Sequence, residues 1–197
     1  MVYGVANGRG SGSTRQKGKI VKNHGRAGTL RPARVEDLPA VRILNNDAVP
    51  AVNALSHDEL CWFHEVAHTF LVTERDGNVT GALVGLGPGL EYPSLNYRWF
   101  SERYPEFVYV DRVVVAESER SSGLGTALYG EFAQRGRSGG APVLLAEVNI
   151  RPRNEGSLRF HHRFGFVPVG EQDTEGGTKR VSLLACLLVD PSLGDGS

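Results

Sequence analysis

The chain has 197 residues, enough for one domain with a substantial core. Lys and Arg together number 22, as do Asp and Glu, so the net charge is zero and gives no reason to expect a nucleic acid or a membrane surface as partner. No apolar run reaches membrane-spanning length, no basic and then apolar leader opens the chain, and Cys61 and Cys186 form no C-x-x-C pair, so a cytoplasmic protein with buried, reduced thiols is expected.

The charge is unevenly spread. No acid precedes Glu36, whereas Arg9, Arg15, Lys17, Lys19, Lys22 and Arg26 crowd the start. Residues 1–28 are rich in Gly, Ser and basic side chains and poor in apolar ones. Such a segment cannot bury enough surface to offset its ordering entropy, so it is expected to be a disordered tail. The folded domain then spans 29–190, and 191–197 form a frayed end. Within the domain, 29–33 reads as a strand. Residues 36–45 read as a helix with Leu38, Val41, Ile43 and Leu44 apolar and two acids in its first turn.

A polar turn leads to Ser56-His-Asp-Glu59, a capping-box pattern that opens a second helix. His57, His64 and His68 lack a cysteine or carboxylate at ligand spacing and are read as structural, with no metal. Residues 68–74 and 79–86 form a hairpin around Asp76-Gly77-Asn78. The stretch 87–107 carries Tyr92, Tyr97, Trp99, Phe100, Tyr104 and Phe107. It is either a lid over a site or a satellite apolar cluster.

Residues 107–115 are a central strand, followed by a charged turn at 117–120 and then Arg120-Ser-Ser-Gly123-Leu-Gly125-Thr126. A helix begins at once, with Leu124, Ala127, Leu128 and Phe132 on one face. Strand, glycine turn and helix N-terminus together make an anion site, because the first helix amides lack partners and the dipole favours negative charge. The turn has neither the Gly-Lys-Ser/Thr of a P-loop nor G-x-G-x-x-G. Gly136, Ser138, Gly139 and Gly140 stop the helix. A buried strand over 142–148 follows, then a short helix from Asn154 to the stop at Gly165, another strand, and a last strand over 181–189.

Two of these stretches resemble the signatures of the GNAT superfamily of N-acetyltransferases. Arg120, Gly123 and Gly125 match R/Q-x-x-G-x-G/A after a strand. Asn154, Ser157, Phe160, Gly165 and Phe166 match N-x-x-A-x-x-L-Y-x-x-x-G-F. The resemblance covers 30–189 and is strongest to bacterial members of undefined substrate that carry A-E-V-N before the second motif. It implies the order β-α-α-β-β-β-α-β-α-β-β and an α/β (α+β) GNAT fold, with a mixed, mostly antiparallel sheet splayed at its central strands and flanked by helices. It also implies acetyl-CoA as co-substrate, no metal, and direct attack by a primary amine of a small molecule. Acetylation of proteins or peptides and a catalytically silent CoA-binding module are the alternatives, and a homodimer is compatible with all three. Two departures stand out: the usual Tyr is His161, and the connection from Glu147 to Asn154 is long and holds Pro152.

Residue by residue, the resemblance implies that the backbone of Val113 and Val115 holds the pantetheine and that the Val114 amide faces the thioester oxygen. The amides of Ser121, Ser122, Gly123, Leu124, Gly125 and Thr126 would cradle the pyrophosphate beside Arg120. Asn154, with Ser157 and Phe160 of its motif, would meet the pantetheine arm. An amine attacks only as the free base, so a base is needed. Strand alternation puts Asp111 on one face with Tyr109, Val113 and Val115, making it one candidate; Glu147 on the next strand is the other. His161 shares a helix face with Asn154 and is the candidate to protonate the thiolate.

Overall fold

The computed structural model describes residues 19–23 and 26–188. The chain runs β1 (Lys19–Asn23), β2 (Arg26–Pro32), α1 (Leu38–Asn46), α2 (His57–Val66), β3 (Thr69–Arg75), β4 (Asn78–Leu86), α3 (Leu95–Ser101) and β5 (Val108–Val115). It continues with α4 (Leu124–Ser138), β6 (Val143–Arg151), α5 (Glu155–Phe164), β7 (Val167–Thr174) and β8 (Lys179–Leu187). The eight strands form one sheet in the order β1-β2-β3-β4-β5-β6-β8-β7. Every neighbouring pair is antiparallel except β5 and β6.

Strand alternation feeds two cores. Val72, Val84, Tyr109 and Leu145 pack on one face with Leu38, Val41, Leu60, Phe63, Tyr97 and Phe100 of α1 to α3. Leu71, Leu83, Val108 and Leu144 pack on the other with Leu128, Tyr129 and Phe132 of α4. Glycine allows α4 to lie close. A Cβ on Gly85 would sit 2.2 Å from Phe132 Cζ, and one on Gly136 would sit 2.6 Å from Val108 Cγ2. Gly136 is therefore inside α4 as a contact residue, and the helix stops only at Gly139 and Gly140, the latter at φ +86°.

The hairpin, the Ser56 capping box and the Gly165 helix stop stand where the sequence puts them. Three local readings change. The tail expected over 1–28 is partly sheet, because Lys19–Asn23 pairs with Arg26–Pro32. Ladder hydrogen bonds on the edge of β2 supply what the composition of the segment does not. Residues 1–18, 24, 25 and 189–197 lie outside the described residues. The aromatic stretch contains a helix, α3, whose first turn is capped by Ser94 Oγ accepting from the Tyr97 amide at 3.3 Å. The connection that holds Pro152 is partly strand, since β6 runs to Arg151 and Ile150 bridges Arg153.

A buried ion cluster ties the start of the domain together. Arg31 donates to both oxygens of Asp37 at 2.7 and 2.9 Å and to Glu74 at 2.6 and 2.9 Å. Burial pushes the Asp37 carboxyl up, but Arg31 and the Arg34 amide outweigh it and hold it below its ordinary value. The Asp37→Ala variant is expected to lose about 2 kcal/mol at pH 7, because it removes two charge-assisted hydrogen bonds and leaves Arg31 with Glu74 as its one carboxylate. A depressed carboxyl stabilises above its unfolded pKa and loses that contribution as pH falls through the folded value. Denaturant titrations of both proteins should therefore converge in acid; a gap that persists there would show the loss to be packing alone.

Candidate active site

The sheet opens at its parallel seam. Strands β5 and β6 pair at Val108 with Leu144 and at Tyr109 with Leu145. Beyond Tyr109 they part, and a cavity of about 590 Å³ lies between them, bounded by residues 109–113 of β5 and 146–149 of β6. A bulge opposite the Val84/Gly85 step inserts Asp111 into β5. The bulge breaks the simple alternation that groups Asp111 with Tyr109, Val113 and Val115.

Backbone direction beyond the bulge follows from the ladder. Ala116 N–H donates to Thr80 O at 2.9 Å, so 116 and 80 are a hydrogen-bonded pair. With the register Val114 to Ala82 and Val115 to Gly81, the amides of residues 114 and 116 face β4, and those of 113 and 115 face the opening. Val113 and Val115 thus offer a free strand edge toward the opening. Val114 does not offer its amide: the donor pointing into the opening near the bulge is Val113. The correction arises because two neighbouring residues of a strand direct their amides to opposite sides.

The glycine turn has the geometry of an anion cradle. Ser121 and Gly123 both have positive φ, +62° and +87°, and Gly123 caps α4. The first intrahelical bond at this end is Ala127 N–H to Gly123 O, at 3.0 Å. The amides of Leu124, Gly125 and Thr126 precede it. Ser122 Oγ is buried and has no partner among the described residues. The Leu124 side chain turns into the core, so only its amide serves the turn. A groove of about 320 Å³ runs from Arg120 and Gly125 past Val113, Val114 and Val115 to Ser157 and Phe160. A Cβ on Gly125 would meet only Phe160, at 3.8 Å, so the floor is open to a ligand. The orphaned hydroxyl, the left-handed turn and the free edge fit a phosphorylated pantetheine. An Arg75–Glu119 ion pair, both side chains largely buried, braces the turn from β3.

The two candidate bases differ in how they are held. Asp111 accepts from Tyr92 Oη at 2.6 Å and from Arg112 Nε at 2.7 Å. Arg112 in turn lies over the Phe63 ring and donates to Asn45 Oδ1 at 3.2 Å. Asp111 is therefore built into the wall. Glu147 accepts from Tyr109 Oη at 3.0 Å through Oε1, while Oε2 is buried with no hydrogen bond of normal length among the described residues. Burial, and then the charge of Asp111, push its carboxyl up to about 7, against the pull of Tyr109 and the nearby Asn96 amide.

Asn154 caps α5, its Oδ1 accepting from the Ser157 amide at 3.0 Å, and it lines the larger cavity. His161 is buried, 3% exposed. Its Nδ1 lies 2.8 Å from Ser157 O and its Nε2 lies 2.8 Å from Tyr129 Oη. Burial pushes the imidazole below its ordinary pKa, partly offset by the Ser157 carbonyl. Tyr129, Tyr92, Arg112 and Asn96 are site residues that sequence reasoning missed. Tyr129 sits on a helix position that reads as core, and only the packing of α4 on α5 brings its hydroxyl to His161. Tyr92, Pro93, Ser94, Leu95 and Asn96 line the cavity, while Tyr97 and Phe100 of the same stretch are buried, so the aromatic segment is both wall and core.

Comparison with known proteins agrees with this architecture. No curated protein matches the chain. Among solved structures, the ribosomal-protein-S18-alanine N-acetyltransferase of Escherichia coli superimposes with a TM-score of 0.65 at 15% identity, covering 86% of this chain and 98% of that one. Ard1 of Thermoplasma volcanium gives 0.67 at 19%, covering 83% and 99%. A putative acetyltransferase of Salmonella typhimurium, yncA, solved with its cofactor acetyl-CoA, gives 0.63 at 23%, covering 86% and 99%. These likenesses show a shared fold. The model of the acetyltransferase (GNAT) family matches residues 38–166, which include the bulged strand, the glycine turn and the second motif. The chain belongs to the GNAT family of acetyltransferases, whose general reaction is acetyl-CoA-dependent N-acetylation.

Proposed function

We propose that the protein transfers the acetyl group of acetyl-CoA to a primary amine of a small molecule, with Glu147 as the base. The observation that carries the reading is the buried Oε2 of Glu147, which lies beside the cavity at the splay with no hydrogen bond of normal length among the described residues. A carboxyl with its pKa raised to about 7 is matched to taking a proton from an ammonium ion near neutral pH. The groove lined by Val113, Val115, Arg120 and Gly125 would hold the cofactor, which supplies an activated acyl group when bound. The Val113 amide is the donor aimed at the thioester oxygen, where charge develops as the bond is made.

The cavity walls favour a small acceptor. Tyr92 to Asn96 stand across one side, and Glu175 and Lys179 stand at another, joined by an ion pair at 2.7 Å. A peptide would need an open groove in their place. The test is a panel of small amines and of peptides with free N-termini, each with acetyl-CoA, read by thiol release. Turnover with small amines is expected. Turnover with peptides alone would overturn the small-acceptor reading, and tight CoA binding without any turnover would point to a silent module.

A further inference from the structure

We propose that Tyr129 and His161 form a proton relay that delivers a proton to the departing CoA sulfur. Tyr129 is the group that touches the sulfur, and His161 is the positioning residue that holds the proton between steps. The inference rests on the acetyl-transfer reading above. The cofactor groove and the acceptor cavity share a wall made by Ala51, Val52, Val113, Tyr129, Ser157 and His161. The acyl carbon has to lie where the two meet. Of those six residues only Tyr129, Ser157 and His161 have polar hydrogens on their side chains.

Hydrogen-bond logic assigns the roles. The Ser157 carbonyl, 2.8 Å from Nδ1, can only accept, so Nδ1 carries the hydrogen. Nε2 is then a lone pair, and the Tyr129 hydroxyl at 2.8 Å donates to it. In this state His161 has no proton to give at Nε2. The residue that replaces the family's tyrosine is thus an acceptor, and the hydroxyl donor comes from α4 instead. Ser157 Oγ lies 3.3 Å from Nδ1 and can share its hydrogen with the carbonyl, and Phe160 and Phe166 meet the imidazole edge to face. Tyr129 is the titratable group bonded to it, and the charge of Glu147 on β6 acts on Tyr129 in turn.

The protons balance. An ammonium acceptor first gives one proton to Glu147. As its nitrogen forms the C–N bond, it carries a second surplus proton. Tyr129 Oη takes that proton while its own passes to His161 Nε2, and the imidazolium formed keeps its Nδ1–H bond to Ser157. As the C–S bond breaks with its electron pair going to sulfur, Nε2 returns the proton to Tyr129 Oη, and Tyr129 gives one to sulfur. The second proton has moved from nitrogen to sulfur with Tyr129 and His161 unchanged. The first leaves from Glu147 to solvent.

The experiment compares wild type, Tyr129→Phe and His161→Gln by calorimetric binding of CoA and of desulfo-CoA and by kcat and KM against pH. Wild type should bind CoA more tightly than desulfo-CoA. Tyr129→Phe should lose that preference, keep its desulfo-CoA affinity, and show kcat lowered about a hundredfold with little change in KM for acetyl-CoA. His161→Gln should keep the CoA preference, since the hydroxyl remains, and lose kcat. Should Tyr129→Phe fail to fold, the His161→Gln split between binding and kcat still decides. A Tyr129→Phe protein with wild-type kcat and an intact CoA preference overturns the relay, as does a His161→Gln protein with wild-type kcat. A wild type that binds no CoA sinks the acetyl-transfer reading itself, a result distinct from either.

Discussion

Replacing Glu147 by Gln is expected to lower kcat by about 10²- to 10⁴-fold, the usual worth of a positioned base. The same substitution should make the protein more stable in alkali. Burial and Asp111 hold the Glu147 carboxyl at about 7, well above its unfolded value. The folded state therefore binds a proton that the unfolded state has already lost. Wild-type stability falls as pH rises from the ordinary carboxylate range through about 7, and above that the full cost of the buried charge is present. The amide carries no charge, so the variant should gain roughly 2–3 kcal/mol over wild type at pH 8. The groups facing Glu147 are Tyr109, Asp111 and Arg112 on β5, Asn96 on α3 and Tyr129 on α4, and none is altered. Measured kcat/KM of the wild type should rise with pH through an ionisation near 7, and the variant should lack it. If the Gln protein keeps both the rate and the ionisation, the base is another group, and Asp111 becomes the one to test.

Gly123→Val is expected to abolish the rise in melting temperature that acetyl-CoA gives the wild type. The mechanism is backbone conformation. Gly123 sits at φ +87°, and a Cβ added there would meet nothing within 4 Å, so space is not the obstacle. A β-branched residue avoids that conformation, and the turn must change shape to accept it. The amides that follow, of Leu124, Gly125 and Thr126, would then no longer converge on one anion. At acetyl-CoA a thousandfold above its Kd, binding stabilises by about 4 kcal/mol, a shift on the order of 10 °C for a domain of this size. Differential scanning fluorimetry reads it directly. A Gly123→Val protein that retains the wild-type shift would place the phosphates away from this turn.

How much of this was legible before the structure can be judged from particular residues. The capping box at Ser56 is there, with the Ser56 amide donating to Glu59 at 2.8 Å and the Glu59 amide to Ser56 Oγ at 3.2 Å. The hairpin at Asp76-Gly77 is there, and so is the helix stop at Gly165, φ +104°. Glu147 was legible as a base candidate only by its place on the strand after the glycine turn. The tying of Asp111 into the wall was not, because it depends on the Tyr92 hydroxyl, brought to Asp111 across 19 residues, as well as on Arg112.

The sequence by itself determined what neighbours along the chain decide. Caps, turns and the glycine motif depend on backbone conformations set within a few residues, and the two motifs in their order settle the fold. Only the tertiary structure decided which side chains share a proton. Tyr129 meets His161 across 32 residues, and Tyr109 meets Glu147 across 38. The bulge at Asp111 is likewise a property of the pairing of β5 with β4, not of β5 alone. It shifts the alternation by one residue, and that shift decides which way Asp111 points and how the strand edge meets the splay. Periodicity in one strand cannot reveal it, because the extra residue exists only relative to a partner strand.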